Sequence, residues 1–273
     1  MKRQPSLAFL ALAISLIGTS AWADGWEGKR PIPPPCVSPF AGAYVGLAAG
    51  YAQQRVEVTN EQPGAPAFGQ TFSDNEGGFT FGGYAGYNWQ HCGRRLVFGI
   101  ETDFNYLNTS PTAFDIETFA GGLTETTSLE SSIDWFGTLR GRLGFVVHDH
   151  VLLYATGGLA YGRADHTLGD DCPGCSGTPP IAGFAFSQSN DVTKAGWTVG
   201  GGGEFVHDDR WFLRAEALYV DLGSETHFYA VNIPGLTGPV TSAAKWDDQF
   251  WVARLGVAYK FGAREHREIV PLK

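Results

Sequence analysis

The sequence predicts an all-β protein, an eight-stranded antiparallel transmembrane up-and-down β-barrel. Three observations predict it. Residues alternate with period 2 in segments of about ten, the length a tilted membrane strand needs. The alternation is inverted, because the apolar rows are continuous while arginines and carboxylates sit mid-segment on the opposite face. Finally, short and long connections alternate between the segments.

Ser131–Val147, "SSIDWFGTLRGRLGFVV", carries the pattern most plainly. One face holds Ile133, Trp135, Gly137, Leu139, Gly141, Leu143 and Phe145; the other holds Asp134, Phe136, Thr138, Arg140, Arg142 and Gly144. A helix would scatter these residues, whereas a strand sorts them. A soluble sheet turns its apolar side inward and lets arginines meet water. A membrane barrel turns its apolar side toward lipid.

From the N-terminus, Lys2 and Arg3, the apolar run "LAFLALAISLI" and Ala21-Trp22-Ala23 read as a signal peptide over residues 1–23, cleaved after Ala23. Residues 24–39 are Pro-rich and aperiodic, a periplasmic linker. The first strand is expected over Ala43–Val58, with Val45, Leu47, Ala49 and Tyr51 in one row. The second spans Phe79–Gln90, with Phe79, Phe81, Ala85, Tyr87 and Trp89 opposite Thr80, Tyr84 and Asn88. The third spans Leu96–Leu107 and sets Phe98, Ile100, Phe104 and Tyr106 against Glu101, Asp103 and Asn105. The opening segment is the fourth, and Val151–Gly162 the fifth, with Tyr154 and Thr156 on its polar side. Ala195–Phe205 (Glu204 inward), Trp211–Val220 (Arg214 and Glu216 inward) and Phe250–Phe261 (Arg254 and Lys260 inward) complete the eight. Aromatic residues near the ends of the apolar rows, such as Trp89, Trp135, Trp211 and Trp251, fit interfacial girdles.

The connections around 91–95, 148–150 and 206–210 are tight; Thr59–Gly78, Asn108–Glu130, Asp165–Thr193 and Ser224–Gln249 are long. The long ones are expected as extracellular loops and the tight ones as periplasmic turns. The long segments are acidic, with Glu61, Asp74, Asp115, Glu125, Asp170, Asp191 and Asp248 among their residues against one basic residue, Lys245. They form a solvated acidic rim, or a surface that cations bridge to lipopolysaccharide; none has the D-x-D-x-D-G spacing of a calcium loop.

On the polar face, Glu101, Asp103, Glu204 and Glu216 nearly balance Arg140, Arg142, Arg214, Arg254 and Lys260. An Arg facing lipid at the midplane costs about 2–4 kcal/mol, so all are expected to pair inside a barrel that side chains just fill. Six glycines on this face, Gly46 and Gly202 among them, make room. A plugged, salt-bridged lumen is expected rather than a wide channel.

Cys172 and Cys175 form "CPGC" in a Gly/Pro-rich stretch, read as a local disulfide after export. Zinc would need two further ligands, and none is near. Cys36 and Cys92 fall on one side of adjacent strands and are candidates for a second disulfide. A formal charge of −9 argues against nucleic acid. No outer row carries a Ser–His break, so no enzyme is expected; no metal or cofactor is implied. His91, His148, His150 and His207 gather at the tight-turn rim, a matter of turn composition or of a metal- or pH-sensitive site.

The segments "GAYVGLAAGY", "FGGYAGYNWQ", "LVFGIETDFNY", "DWFGTLRGRLGF", "LLYATGGLAYG", "GWTVGGGGEF", "FLRAEALYVDLG" and "ARLGVAYKF", in this order, resemble the Omp25/RopB-type outer-membrane proteins of alphaproteobacteria, small OmpA-like barrels of the "porin family". The resemblance covers about Phe40 to Phe261. It implies a barrel over 40–261 that contributes to envelope integrity, with variable surface loops open to a ligand or phage. Members of that family tend to stop at an aromatic residue in a last strand that the barrel assembly machinery reads. Here Phe261 is followed by "GAREHREIVPLK", a periplasmic tail over 262–273. A small-solute channel is the alternative function, and a secreted soluble barrel a third.

Overall fold

The computed structural model describes residues 38–61, 69–91, 93–119, 123–173, 184–208, 210–231 and 240–261. They form nine strands: β1 (Gly42–Asn60), β2 (Thr71–Gln90), β3 (Leu96–Thr109), β4 (Thr112–Phe119), β5 (Leu123–His148), β6 (Val151–Cys172), β7 (Phe184–His207), β8 (Trp211–Val231) and β9 (Val240–Phe261). All pairings are antiparallel, in the order β3-β2-β1-β9-β8-β7-β6-β5-β4, and a further β3–β5 pairing closes the ring. First and last strands are joined in register from Ala43↔Phe261 to Asn60↔Ala244. Closure matters in lipid, where each unsatisfied backbone group costs several kcal/mol.

Two expectations are corrected. A ninth strand, β4, forms inside the stretch expected as the loop Asn108–Glu130, set off from β3 at Ser110–Pro111. Proline has no N–H to give a ladder. Both pieces lie on β5, β3 opposite Ile133–Phe145 and β4 opposite Leu123–Glu130. The strands are also far longer than ten residues: β5 has 26 and β7 has 24. Much of what was expected as long loops continues the strands. These parts, such as "LTETTSLESS" in β5, carry polar residues on both faces, so no apolar row marks them.

The outward faces divide into a band and an extension. Within the band the apolar rows are exposed: Leu47 is 68% exposed, Leu159 64% and Leu255 70%. Aromatic contacts ring the band on both rims. Tyr51–Phe79, Phe81–Tyr106, Phe104–Trp135, Trp135–Tyr161, Trp197–Tyr219 and Tyr219–Trp251 lie on one. Tyr87–Trp89, Trp211–Tyr259 and Tyr259–Phe261 lie on the tight-turn rim. From Trp251 to Tyr259 the strand covers roughly 20 Å along the axis at the usual tilt and rise, close to the apolar height of such barrels. Past Tyr51, Tyr161 and Trp251 the outward residues turn polar, as in Gln53, Arg163 and Gln249.

The extension is no longer a closed ring. The β2–β3 ladder runs only from Thr80↔Leu107 to Gln90↔Val97, and β7–β8 pairing ends at Trp197↔Asp221. Beyond these points the strands separate into two four-stranded sheets, β8-β9-β1-β2 and β4-β5-β6-β7. Gly223, at φ 75°, sits in the β8 irregularity where this begins; the left-handed conformation there suits glycine. Val56, Val58, Tyr229, Ala244 and Trp246 from one sheet pack on Ala113, Leu129 and Leu168 from the other.

Candidate functional site

The interior of the band is built from residues two apart on successive strands. The ladder sets Glu101 opposite Arg140, Glu204 opposite Arg214 and Glu216 opposite Arg254. Asp103 and Arg142 follow two residues along β3 and β5. Eight of the nine residues assigned to the inner network therefore meet: Glu101, Asp103, Arg140, Arg142, Glu204, Arg214, Glu216 and Arg254 are all within 6% exposure.

Their contacts form two alternating rings. In one, Arg140 Nη1 reaches Glu216 Oε1 at 3.0 Å and Arg140 Nη2 reaches Asp103 Oδ2 at 3.0 Å, while Arg254 bonds the same two carboxylates, with Nη2–Asp103 Oδ2 at 2.7 Å. In the other, Arg142 Nη2 meets Glu204 Oε1 at 2.7 Å and Nη1 meets Glu101 Oε2 at 3.3 Å, and Arg214 bridges Glu204 and Glu101. The Arg140–Glu101 pair joins the rings. Four guanidinium groups face four carboxylates, so no net charge is left in a site whose side chains are 0–2% exposed. Lys260 lies at the tight-turn end of β9, where Nζ donates to Pro39 O and rests 5.9 Å from the Phe212 centroid.

Tyrosines hold the rings in place, a role that no pattern within a single strand announces. Tyr44 OH donates to Glu101 Oε2 at 2.7 Å and Tyr154 OH to Glu216 Oε1 at 2.9 Å. The Arg214 guanidinium lies 4.1 Å from the Tyr84 centroid and that of Arg142 lies 4.0 Å from Tyr154. Each ring lies over a glycine across the ladder: Tyr44↔Gly86, Gly46↔Tyr84 and Tyr154↔Gly202. A Cβ on Gly46 would overlap the Tyr84 ring, and one on Gly86 the Tyr44 hydroxyl. Tyr and Gly at register-matched inward positions was the available signal. Apolar clusters close the network on either side, one around Phe40, Tyr44 and Phe212, the other around Leu107, Phe136, Leu218 and Phe250.

A second buried polar group lies in the extension. Asp248 accepts from Ser131 Oγ at 2.6 Å and Lys194 Nζ at 2.9 Å, and pairs with His166 Nε2 at 2.8 Å. His166 Nδ1 meets His227 Nε2 at 2.8 Å, and Gln54 Nε2 donates to Ser131 O at 3.2 Å. Burial would push the Asp248 carboxyl up, but the His166 hydrogen bond and the Lys194 charge outweigh it and hold it well below the usual carboxylate range. Asp248 is thus an interior residue and not part of a solvated rim, which corrects the expectation. Its neighbours Ser131, His166 and Lys194 come from β5, β6 and β7, none of which pairs with β9.

His148, His150 and His207 are exposed at the tight-turn end, and His207 Nε2 lies 3.2 Å from Asp208. Among the described residues no three His, Cys, Asp or Glu side chains converge to hold a metal. Cys172 is buried at the end of β6; Cys36, Cys92 and Cys175 lie outside the described residues, as do the expected signal peptide, linker and tail.

Apolar residues outside and paired charges within define a membrane β-barrel. The chain belongs to the outer-membrane β-barrel family: residues 9–261 match the model described as "Outer membrane protein beta-barrel domain". It is 34% identical over 266 residues to the 31 kDa outer-membrane immunogenic protein of Brucella melitensis, covering 92% of this chain and 98% of that one. It is 25% identical to the 25 kDa outer-membrane immunogenic protein of the same organism, covering 96% and 100%. The structure of OprG from Pseudomonas aeruginosa is similar at 15% identity and a TM-score of 0.45, over 82% of this chain and 97% of that one. The protein resides in the outer membrane.

Proposed function

We propose that this protein is a non-enzymatic structural element of the outer membrane whose interior is sealed. One observation carries the reading: the two arginine–carboxylate rings fill the band, with side chains 0–2% exposed and apolar clusters on either side. Arginines so paired are held in place, and moving one aside would leave a buried carboxylate unmatched. In this reading an eight-stranded cylinder spans the bilayer and β4 belongs to the extracellular extension. Residues 1–23 are removed on export, 24–39 link, 40–261 form the barrel, and 262–273 stay periplasmic. The barrel assembly machinery inserts the chain. The extension meets lipopolysaccharide and is the part open to a surface ligand or phage.

Two disulfides belong to the proposal. Cys172, the first residue of "CPGC", is buried, and no described cysteine is free, which supports Cys172–Cys175; Cys36–Cys92 would clip the periplasmic end. Planar-bilayer recording on the purified protein tests the sealed reading. No discrete openings are expected. Openings whose size changes in Arg140→Ala or Arg254→Ala would overturn it in favour of a small-solute channel.

A further inference from the structure

The ring parts along two seams past the band, and the one between β7 and β8 is crossed at its base by the Asp248 group. Ser131, His166 and Lys194 come from β5, β6 and β7; His227 and Asp248 come from β8 and β9. The group thus ties one sheet of the extension to the other. Trp246 lies flat against His166, with centroids 4.7 Å apart and planes within 7°. We propose that the His166–His227 contact is an acid-sensitive latch, which holds the two sheets together while the pair carries at most one extra proton and lets them part along the β7–β8 seam when both rings are charged.

The chemistry follows from the donor count. His166 presents one ring nitrogen to Asp248 and the other to His227. With both rings neutral, Nε2–H of His166 donates to the carboxylate and Nδ1 accepts from His227. With one extra proton, either ring still leaves the other a lone pair. With two, both facing nitrogens carry hydrogens and no acceptor remains between them. The surrounding charges are Lys194 and Asp248, with Glu225 acting on His227 from its own strand; Tyr229 adds an uncharged ring 6.3 Å from His227. Two imidazolium groups and Lys194 then face Asp248 and Glu225.

Burial, then the charges of His166 and Lys194, already hold His227 below its ordinary value of 6.5, against the pull of Glu225 and Asp248. The parted state, in which His227 is solvated, therefore binds the proton more readily. Stability of the closed sheets is complete above the ordinary value and falls as pH drops below about 6.5. Parting exposes the apolar layer around Val58, Leu168 and Trp246. The latch lies beyond the apolar band, so it acts whether or not the band conducts ions.

Hydrogen–deuterium exchange of the full protein in phosphatidylcholine vesicles tests this at pH 7.5 and 5.0, after correction for the intrinsic pH dependence of exchange. Segments 184–194 and 222–231 should exchange about tenfold faster at pH 5.0, while 96–106 in the band stays unchanged. His227→Gln keeps an N–H for His166 but takes up no proton, and should abolish the increment. Lys194→Met removes one of the three positive charges, keeps both imidazoles in the chain, and should reduce it. A wild type without the increment, or an increment that survives unchanged in either variant, overturns the latch.

Discussion

Replacing Arg140 by methionine removes the group that joins the two interior rings. Arg140 is fully buried and touches three carboxylates, those of Glu101, Asp103 and Glu216. At an effective dielectric of about 20, each contact near 3 Å is worth roughly 5 kcal/mol before solvation. Desolvation of the ions cancels several kcal/mol apiece, and Arg142, Arg214 and Arg254 remain to share the carboxylates. The loss should therefore be about 3–5 kcal/mol, the usual cost of leaving a buried charge unmatched. Asp103 bonds Arg140 and Arg254, so Asp103→Asn in the same chain restores neutrality, with three arginines facing three carboxylates. The double variant should be more stable than Arg140→Met alone, with a coupling of about 0.5–3 kcal/mol. Urea unfolding in lipid vesicles, followed by heat-modifiable electrophoretic mobility, measures both. A loss under about 1 kcal/mol in the single variant, with strict additivity in the double, would refute the claim that charge matching holds the interior.

Leu255→Arg, midway between Trp251 and Tyr259 on the outer row, should cost about 2–4 kcal/mol in the same assay, and Gln53→Arg just past the aromatic rim about 0–1 kcal/mol; equal costs would misplace the band. Gly46→Ala forces a methyl into the Tyr84 ring and should cost about 1–3 kcal/mol by overpacking, read as a lower midpoint for loss of the heat-modifiable form. Burial, with the charge and hydrogen bond of Asp170, pushes the Glu125 carboxyl up to about 7. Its folded-state value lies above its unfolded one, so its contribution is complete in acid and lost as pH rises through 7. Corrected for the intrinsic pH dependence of exchange, amide exchange over 124–129 should accelerate above that pH, and Glu125→Gln should remove the acceleration.

The class of fold, the inverted faces and most of the charged interior are written in the order of residues alone. Strand alternation fixes which side each residue takes, and an arginine row opposite a leucine row can face only one way in lipid. Glu101, Arg140, Glu216 and Arg254 were legible because each sits mid-strand among apolar neighbours. The part played by Tyr44 and Tyr84 is not legible in one strand, since it depends on the glycines the register sets opposite them. The length of β5 and the break at Pro111 were hidden because the extension has no lipid to impose an apolar row. That the ring parts into two sheets, and that His166, Lys194, His227 and Asp248 meet between them, emerges only once the chain is folded. Those residues lie on four strands in stretches polar on both faces, and nothing local in such a chain says which pairing partner its backbone will take or where that pairing ends.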